Sequence, residues 1–203
     1  MFTGLIEDTG RVKAVSGGSL TIQTKLFESA SPGDSIAVDG SCLTISGIGN
    51  RSLAFHCSAE TVSRTIISGY YPGTEVNLER PLGFSDGLHG HIVTGHVDEA
   101  AAVLKVKRGG EGMTVWISCS GKYLPLIVEK GSIAVSGISL TIASLAPDRF
   151  SVVLISETLE RTTAGNWKPG SHVNLEYDII GKYVKKQTDA VLGKRRLRNY
   201  LEQ

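Results

Sequence analysis

Apolar and polar positions alternate over short distances through most of this chain. Residues 19–25 alternate strictly, and Ser35–Val38, 42–48, 53–57 and 75–78 are strand-length runs closed by Gly, Pro, Asn or Ser. A period of two sends successive side chains to opposite faces of a strand, so the pattern predicts antiparallel β-structure. Residues 58–68 break it: Ser58 stands at a cap position, Glu60 places an acid in the first turn, and Val62, Ile66 and Ile67 supply an apolar face. That predicts one short helix between strands. About six strands and one short helix favour a closed Greek-key barrel, which leaves no edge strand unpaired.

The pattern occurs twice. Ser35-Ile36-Ala37-Val38-Asp39-Gly40-Ser41-Cys42-Leu43-Thr44-Ile45 returns as Ser132-Ile133-Ala134-Val135-Ser136-Gly137-Ile138-Ser139-Leu140-Thr141-Ile142, an offset of 135 − 38 = 97. The blocks starting at Glu60 and Pro72 recur at Glu157 and Pro169 with the same offset, and Thr3-Gly4-Leu5-Ile6-Glu7 matches Thr94-Gly95-His96-Val97-Asp98 at 94 − 3 = 91. A copy of roughly 90 residues is too long for a solenoid unit and long enough to close its own core. The expected fold is all-β: two tandem closed six-stranded Greek-key barrels, each with a short helix, over residues 1–90 and 91–181. The boundary is expected in the turn-rich stretch 80–87.

Residues 182–203 differ in character, with seven basic residues, two acids, and Tyr183, Ala190 and Leu197 seven apart. This predicts a C-terminal α-helix with a narrow apolar stripe that needs a partner surface, because Gly193 weakens it in isolation. The basic run 194–198 reads as a solvated helix end complementing the helix dipole.

Composition narrows the function classes. Lys+Arg of 21 against Asp+Glu of 20 gives a net charge of +1, which offers no chain-wide field for a nucleic-acid partner. No apolar run approaches the ~20 residues of a membrane span, and the start lacks a basic, then apolar, leader pattern; the cytoplasm is the expected location. Cys42, Cys57 and Cys119 are odd in number and without a C-x-x-C spacing, so free thiols are expected.

Duplicated domains can bind two copies of one molecule. Were the two copies to react together, proximity across a pseudo-two-fold axis would supply much of the catalysis. Positions that differ between matching blocks would then separate donor from acceptor: Cys42 against Ser139, Leu5 against His96, and Asp39 against Ser136. Cys42 follows a Gly turn at a strand start, where a thiol can face a ligand or serve as a small apolar residue. Thr44 and Thr141 share a strand face with Cys42 and Ser139. His89, His91 and His96 form H-x-H-x4-H, but no carboxylate or cysteine completes a recognised ligand set, so no metal is expected. His96, beside Gly95 at a strand start, is the best candidate for proton transfer. There is no dinucleotide-binding, P-loop or G-x-S-x-G motif.

The segments Met1-Phe2-Thr3-Gly4-Leu5-Ile6-Glu7, Gly40-Ser41-Cys42-Leu43-Thr44, Phe84-Ser85-Asp86, Thr94-Gly95-His96-Val97-Asp98, Gly137-Ile138-Ser139-Leu140-Thr141 and Ser156-Glu157-Thr158-Leu159-Glu160-Arg161-Thr162 closely resemble riboflavin synthases of the α-chain type, which carry two lumazine-binding repeats. The resemblance runs from Met1 to about Asp178. It implies a dismutation in which two molecules of 6,7-dimethyl-8-ribityllumazine exchange a four-carbon unit, giving riboflavin and 5-amino-6-ribitylaminouracil. It also implies a homotrimer held by its C-terminal helices, with a site joining the N-terminal barrel of one subunit to the C-terminal barrel of another, and no cofactor. The substrate-binding residues it implies in the first barrel are Gly4, Leu5, Ile6, Ser35, Cys42, Leu43, Thr44, His56, Cys57, Ser58, Ala59, Glu60 and Thr61. In the second they are Gly95, His96, Val97, Lys130, Ser139, Leu140, Thr141, Val153, Leu154, Ile155, Ser156, Glu157, Thr158 and Asp178. His96, helped by Thr141, is expected to move the proton of the lumazine C7 methyl group. Cys42, or a water that it positions, is expected to add to the partner ring, with Ser139 at the matching place in the second barrel. The rival readings are a non-catalytic lumazine- or flavin-binding relative and an interaction module without a ligand.

Overall fold

The computed structural model describes residues 1–110 and 112–201; the side chains of residues 193–201, including Leu197 and the basic run 194–198, lie outside the described residues. In the first repeat the strands are β1 (Asp8–Ser16), β2 (Ser19–Gln23), β3 (Ser35–Val38), β4 (Ser41–Gly49), β5 (Ser52–His56) and β6 (Glu75–Glu79). In the second they are β7 (Glu99–Gly109), β8 (Gly112–Ser118), β9 (Ser132–Val135), β10 (Ile138–Ala146), β11 (Arg149–Ile155) and β12 (His172–Tyr177). Each set closes into an antiparallel barrel, in the order β1-β2-β5-β4-β3-β6 and its equivalent β7-β8-β11-β10-β9-β12. The architecture is all-β, as the alternation predicts. Even the irregularities repeat: ladders slip between Val12 and Ala14 and between Val103 and Lys105, and again between Ile45 and Gly47 and between Ile142 and Ser144. Bulges at matching places tighten each strand's coil enough for six strands to close.

The short helix differs from expectation. Ser58 does cap it, accepting the Thr61 amide, but α1 spans only Ala59–Arg64. At Thr65 the backbone becomes extended, the hydroxyl donates back to the Thr61 carbonyl, and the chain re-enters a single 3-10 turn, Ile66–Gly69. A threonine that caps the next turn through its own hydroxyl competes with helix continuation. The second repeat does the same with α2 (Ser156–Arg161), Thr162 and a turn at Thr163–Asn166. The C-terminal helix, α3 (Ile179–Leu201), begins three residues before the expected start.

Each barrel has its own apolar core, the first around Leu20, Ile22, Leu53 and Phe55 and the second around Val115, Ile117, Phe150 and Val152. A third small cluster, Phe2, Ala37, Val93 and Ala134, lies between the barrels. Around it the repeats exchange hydrogen bonds in reciprocal pairs. The Asn77 amide donates to the Ser136 carbonyl (2.9 Å) and accepts from the Thr163 N–H (2.8 Å), while Asn174 donates to the Asp39 carbonyl (2.8 Å) and accepts from the Ile66 N–H (2.9 Å). At the axis Gly40 and Gly137 touch through backbone, so a Cβ on Gly40 would lie 2.7 Å from the Gly137 nitrogen.

The Asp39/Ser136 difference belongs to this joint. Asp39 is buried, accepts the Tyr70 hydroxyl (2.6 Å) and the Asn77 N–H (2.8 Å), and burial pushes its pKa from 3.8 up to about 6. In the second repeat Ser136 accepts the Asn174 N–H, and Trp167 stands where Tyr70 does. Asp39 with Tyr70 and Ser136 with Asn174 are thus two hydrogen-bonding solutions at matching places of the joint, which gives this difference a structural role.

Because the folded carboxyl holds its proton up to about pH 6 and the unfolded one only to 3.8, Asp39 costs stability as pH rises through that window, by ~3 kcal/mol in all. In Asp39→Asn the amide oxygen can still accept from Asn77 while the amide nitrogen donates to the Tyr70 oxygen. The variant should melt several degrees above the parent at pH 7.5, with the gap closing toward pH 4 in calorimetry. A gap that does not change with pH would assign the effect to something other than the buried charge.

Candidate active site

Two segments before β1 and β7 cross the joint as straps. In the first, the Thr3 N–H, the Thr3 hydroxyl and the Gly4 N–H all donate to the buried carboxylate of Glu79 on β6 (2.6, 2.9 and 3.0 Å). In the second, the same groups of Thr94 and Gly95 donate to Glu176 on β12 (2.7, 2.7 and 2.9 Å). Burial raises the Glu79 pKa, and the converging N–H groups of Thr3, Gly4 and Leu5 oppose that rise. Each strap then reaches the other repeat: the Gly4 carbonyl accepts the Ser139 N–H (2.8 Å), and the Gly95 carbonyl accepts the Cys42 N–H (2.9 Å). Both glycines have φ near +80°, and a Cβ on either would fall 2.5 Å from the Cβ of Ser139 or Cys42. Only glycine fits the crossing.

These contacts group the expected residues differently from the barrel-by-barrel assignment. Gly95 and His96 come to the strand carrying Cys42, Leu43 and Thr44, whereas Gly4, Leu5 and Ile6 come to the strand carrying Ser139, Leu140 and Thr141. Ile6 packs on the second barrel's core. On the outer face of the first barrel, Ser35 pairs with Thr44, and the β4–β5 register sets Thr44 beside His56 and the start of α1, where Ser58, Ala59, Glu60 and Thr61 follow. The matching band of the second barrel holds Thr141, Val153, Ile155, Ser156, Glu157 and Thr158, with Val153 and Ile155 exposed. Cys42 and Ser139 are half-buried at the strap ends of these bands, and His96 is exposed. Leu43, Cys57, Leu140 and Leu154 turn into the barrel cores, so they can offer a ligand only backbone. Burial pushes the Cys57 and Cys119 thiols up, away from reactivity.

Grooves lie beside the bands, about 620 Å3 in the first barrel, where the expected residues Leu5 and Ser35 face Arg80 and Asp86, and about 520 Å3 in the second, where Ser132 and the expected residue Asp178 face Val184; Cys42, Thr44, Ser139 and Thr141 line neither. Ser35 and Ser132 match at the repeat offset, so the grooves are equivalents; the first is walled by the linker, the second by α3. Lys182 fixes α3 there by an ion pair with Asp98 (2.6 Å). A larger cavity of about 790 Å3 lies across the joint among Asp39, Tyr70, Ser136 and Trp167 and holds none of the expected site residues.

Three groups at the site escape sequence reasoning. Glu79, Glu176 and His91 all sit at the straps, His91 with Nδ1 2.7 Å from Ser139 Oγ. The carboxylates were signalled by Val-Asn-Leu-Glu, which stands unchanged in both repeats.

The lumazine binding domain model matches the chain twice, over residues 3–81 and 94–178. Riboflavin synthase of Bacillus subtilis (strain 168) is 37% identical over 189 residues, covering 91% of this chain and 88% of the relative. That of Mycobacterium tuberculosis (strain ATCC 25618 / H37Rv) is 39% identical over 195 residues, covering 92% and 97%. The chain belongs to the riboflavin synthase family. Among solved structures, LumP complexed with riboflavin matches with a TM-score of 0.80 over 87% of this chain and 99% of that one at 23% identity. LumP complexed with 6,7-dimethyl-8-(1'-D-ribityl) lumazine gives 0.78 over 87% and 98% at 22%. At such identity this likeness bears on the fold alone.

Among the residues expected at the site, Lys130 stands out by its backbone. It has φ +65°, where the first repeat has Gly33 at +95°. A lysine there is strained by ~1 kcal/mol relative to glycine, a cost that a role at the ligand would explain. Lys130→Gly should hold or raise the melting temperature while weakening binding of the lumazine, followed by its fluorescence. Unchanged affinity would make Lys130 a tolerated surface residue.

Proposed function

We propose that the protein is a riboflavin synthase: it binds two molecules of 6,7-dimethyl-8-ribityllumazine, one at the outer band of each barrel type, and moves a four-carbon unit from one to the other. The products are riboflavin and 5-amino-6-ribitylaminouracil. Donor and acceptor are the same compound, so the atoms balance without an added oxidant or reductant. The observation that carries this reading is the double match to the lumazine binding domain in a chain whose relatives, 34–39% identical over about nine-tenths of it, are named riboflavin synthase.

The two bands present different groups to identical rings. The first has Cys42, Thr44 and His56, with His96 delivered by the second strap; the second has Ser139, Thr141 and the apolar Val153 and Ile155, with Leu5 delivered by the first. His96, beside Cys42 at the first band, reaches across to the facing second band of another subunit and takes the proton from the C7 methyl group of the lumazine there. The carbanion left behind attacks the other ring, the one on the first band. Cys42, or a water beside it, adds to that other ring and makes it electrophilic. Gly4, Gly95 and the carbonyls at the strap ends hold the rings against the bands, Asp178 borders the second groove, and Lys130 precedes Gly131 in its wall.

Donor and acceptor bands on one chain lie on separate barrels, so the reading includes a homotrimer in which the N-terminal barrel of one subunit faces the C-terminal barrel of another. Ile180, Tyr183, Val184, Val191 and Leu192 leave an exposed apolar stripe on α3, which supports helix association. No helix among the described residues is long and apolar enough to cross a membrane. The cytoplasm is the proposed location.

Purified protein given the lumazine should produce riboflavin, seen by its fluorescence, together with equimolar pyrimidine. His96→Ala should lower kcat on the order of 100-fold with little change in lumazine affinity. Binding of the lumazine without any riboflavin would overturn the catalytic reading in favour of a carrier protein.

A further inference from the structure

His91 stands three positions before Thr94, the residue that aligns with Thr3, and so lies just upstream of the repeated block. It lies in the extended segment running antiparallel to the chain start, where Phe2 pairs with Val93 and the His91 N–H donates to the Thr3 carbonyl (3.1 Å). Only 9% of the residue is exposed. Its Nδ1 is 2.7 Å from Ser139 Oγ, the hydroxyl at the end of the second barrel's outer band. The first barrel has Cys42 at that place, and among the described residues no imidazole is hydrogen-bonded to it.

We propose that His91 is a positioning residue: it holds the proton of the Ser139 hydroxyl, so that Oγ turns its lone pairs toward the bound lumazine as a hydrogen-bond acceptor. This rests on the riboflavin synthase reading and says what distinguishes the second band from the first.

The chemistry follows from the ring's surroundings. The titratable groups facing it are Asp178, just before α3, and Glu176 on β12; both favour the charged ring, but burial outweighs them and lowers its pKa below the ordinary 6.5. The ring is therefore neutral at pH 7, with one nitrogen bearing hydrogen and the other a lone pair. In the proposed arrangement that hydrogen sits on Nε2, which leaves Nδ1 to accept from Ser139. Protonation reverses the bond: an imidazolium can only donate to Oγ, and the hydroxyl hydrogen must swing toward the ligand. One proton on His91 thus switches Ser139 from acceptor to donor, while the thiol of Cys42 is subject to no such control.

The test compares wild type, His91→Asn, Ser139→Ala and the double variant, measuring kcat and KM for the lumazine against pH. Asparagine keeps a polar atom where Nδ1 stands but does not titrate. Both single variants are expected to lose kcat on the order of 10- to 100-fold with KM shifted less than about threefold, and to reduce the acid limb of the kcat profile to the single ionisation of the base His96. The double variant should be no worse than Ser139→Ala, because the two groups act as one unit. A His91→Asn enzyme that keeps wild-type kcat and its acid limb overturns the proposal, as do losses that multiply in the double variant. Should His91→Asn fail to fold, Ser139→Ala decides alone: an acid limb unchanged from wild type overturns the proposal, and one reduced to a single ionisation supports it. Fluorescence titration of lumazine affinity against pH reads the same switch without turnover. A wild type that makes no riboflavin yet shows a pH-dependent affinity abolished in His91→Asn would remove the enzyme reading and leave the switch standing.

Discussion

Asn77 and Asn174 spend their side-chain amides on the opposite repeat. Each donates to a backbone carbonyl and accepts from a backbone N–H across the pseudo-two-fold axis, and both are buried. A buried amide or backbone group left without its partner costs about 1–3 kcal/mol, so separating the barrels would charge that penalty several times over. Two barrels that could each close a core are thereby held in one relative orientation. The orientation matters because the straps cross within it: Glu79 and Glu176 anchor Thr3-Gly4 and Thr94-Gly95, and the glycine carbonyls pin those straps to Ser139 and Cys42. Both bands therefore depend on both repeats.

Symmetry in the joint coexists with divergence at the bands. The joint keeps Asn77 and Asn174, Glu79 and Glu176, Gly4 and Gly95, Gly40 and Gly137 as matching pairs. At the bands Leu5 faces His96 as its counterpart, His56 faces Val153, Ser58 faces Ile155, and Cys42 faces Ser139 with His91 added behind it. This division suits a reaction between two identical molecules. In the proposed mechanism the scaffold presents the same ring twice, and the side chains around it are what would make one copy lose a proton while the other accepts a nucleophile.

Much of the fold was legible in the sequence because the barrels close their own cores. Alternation marked 42–48 and 53–57 as strands without knowledge of the partner domain, and the offset of 97 carried the same reading into the second repeat. The joint was not legible for the complementary reason. A polar residue on the outer face of a strand, such as Asn77, looks the same whether water or a second barrel covers it. Asp39 and Ser136 read as a chemical difference but are a structural one, since Tyr70, the hydroxyl that Asp39 accepts, lies 31 positions further along the chain and meets it only in the fold. His91 was passed over for His96 because its role depends on Ser139, 48 positions away. The straps were read as belonging to their own barrels, which is where their anchoring carboxylates are, whereas their carbonyls serve the other.

The central claim is that a site competent for chemistry is built by both repeats, and residues 1–90 produced alone test it most directly. They contain a complete strand set and the Glu79-anchored first strap, but lack the strap that brings Gly95 and His96 to Cys42. Circular dichroism, lumazine fluorescence and riboflavin formation are measured on this fragment and on the full chain. The account predicts a folded β-barrel that binds the lumazine more weakly than the full chain and forms no riboflavin. Riboflavin formation by the fragment at a rate approaching that of the full chain would contradict it.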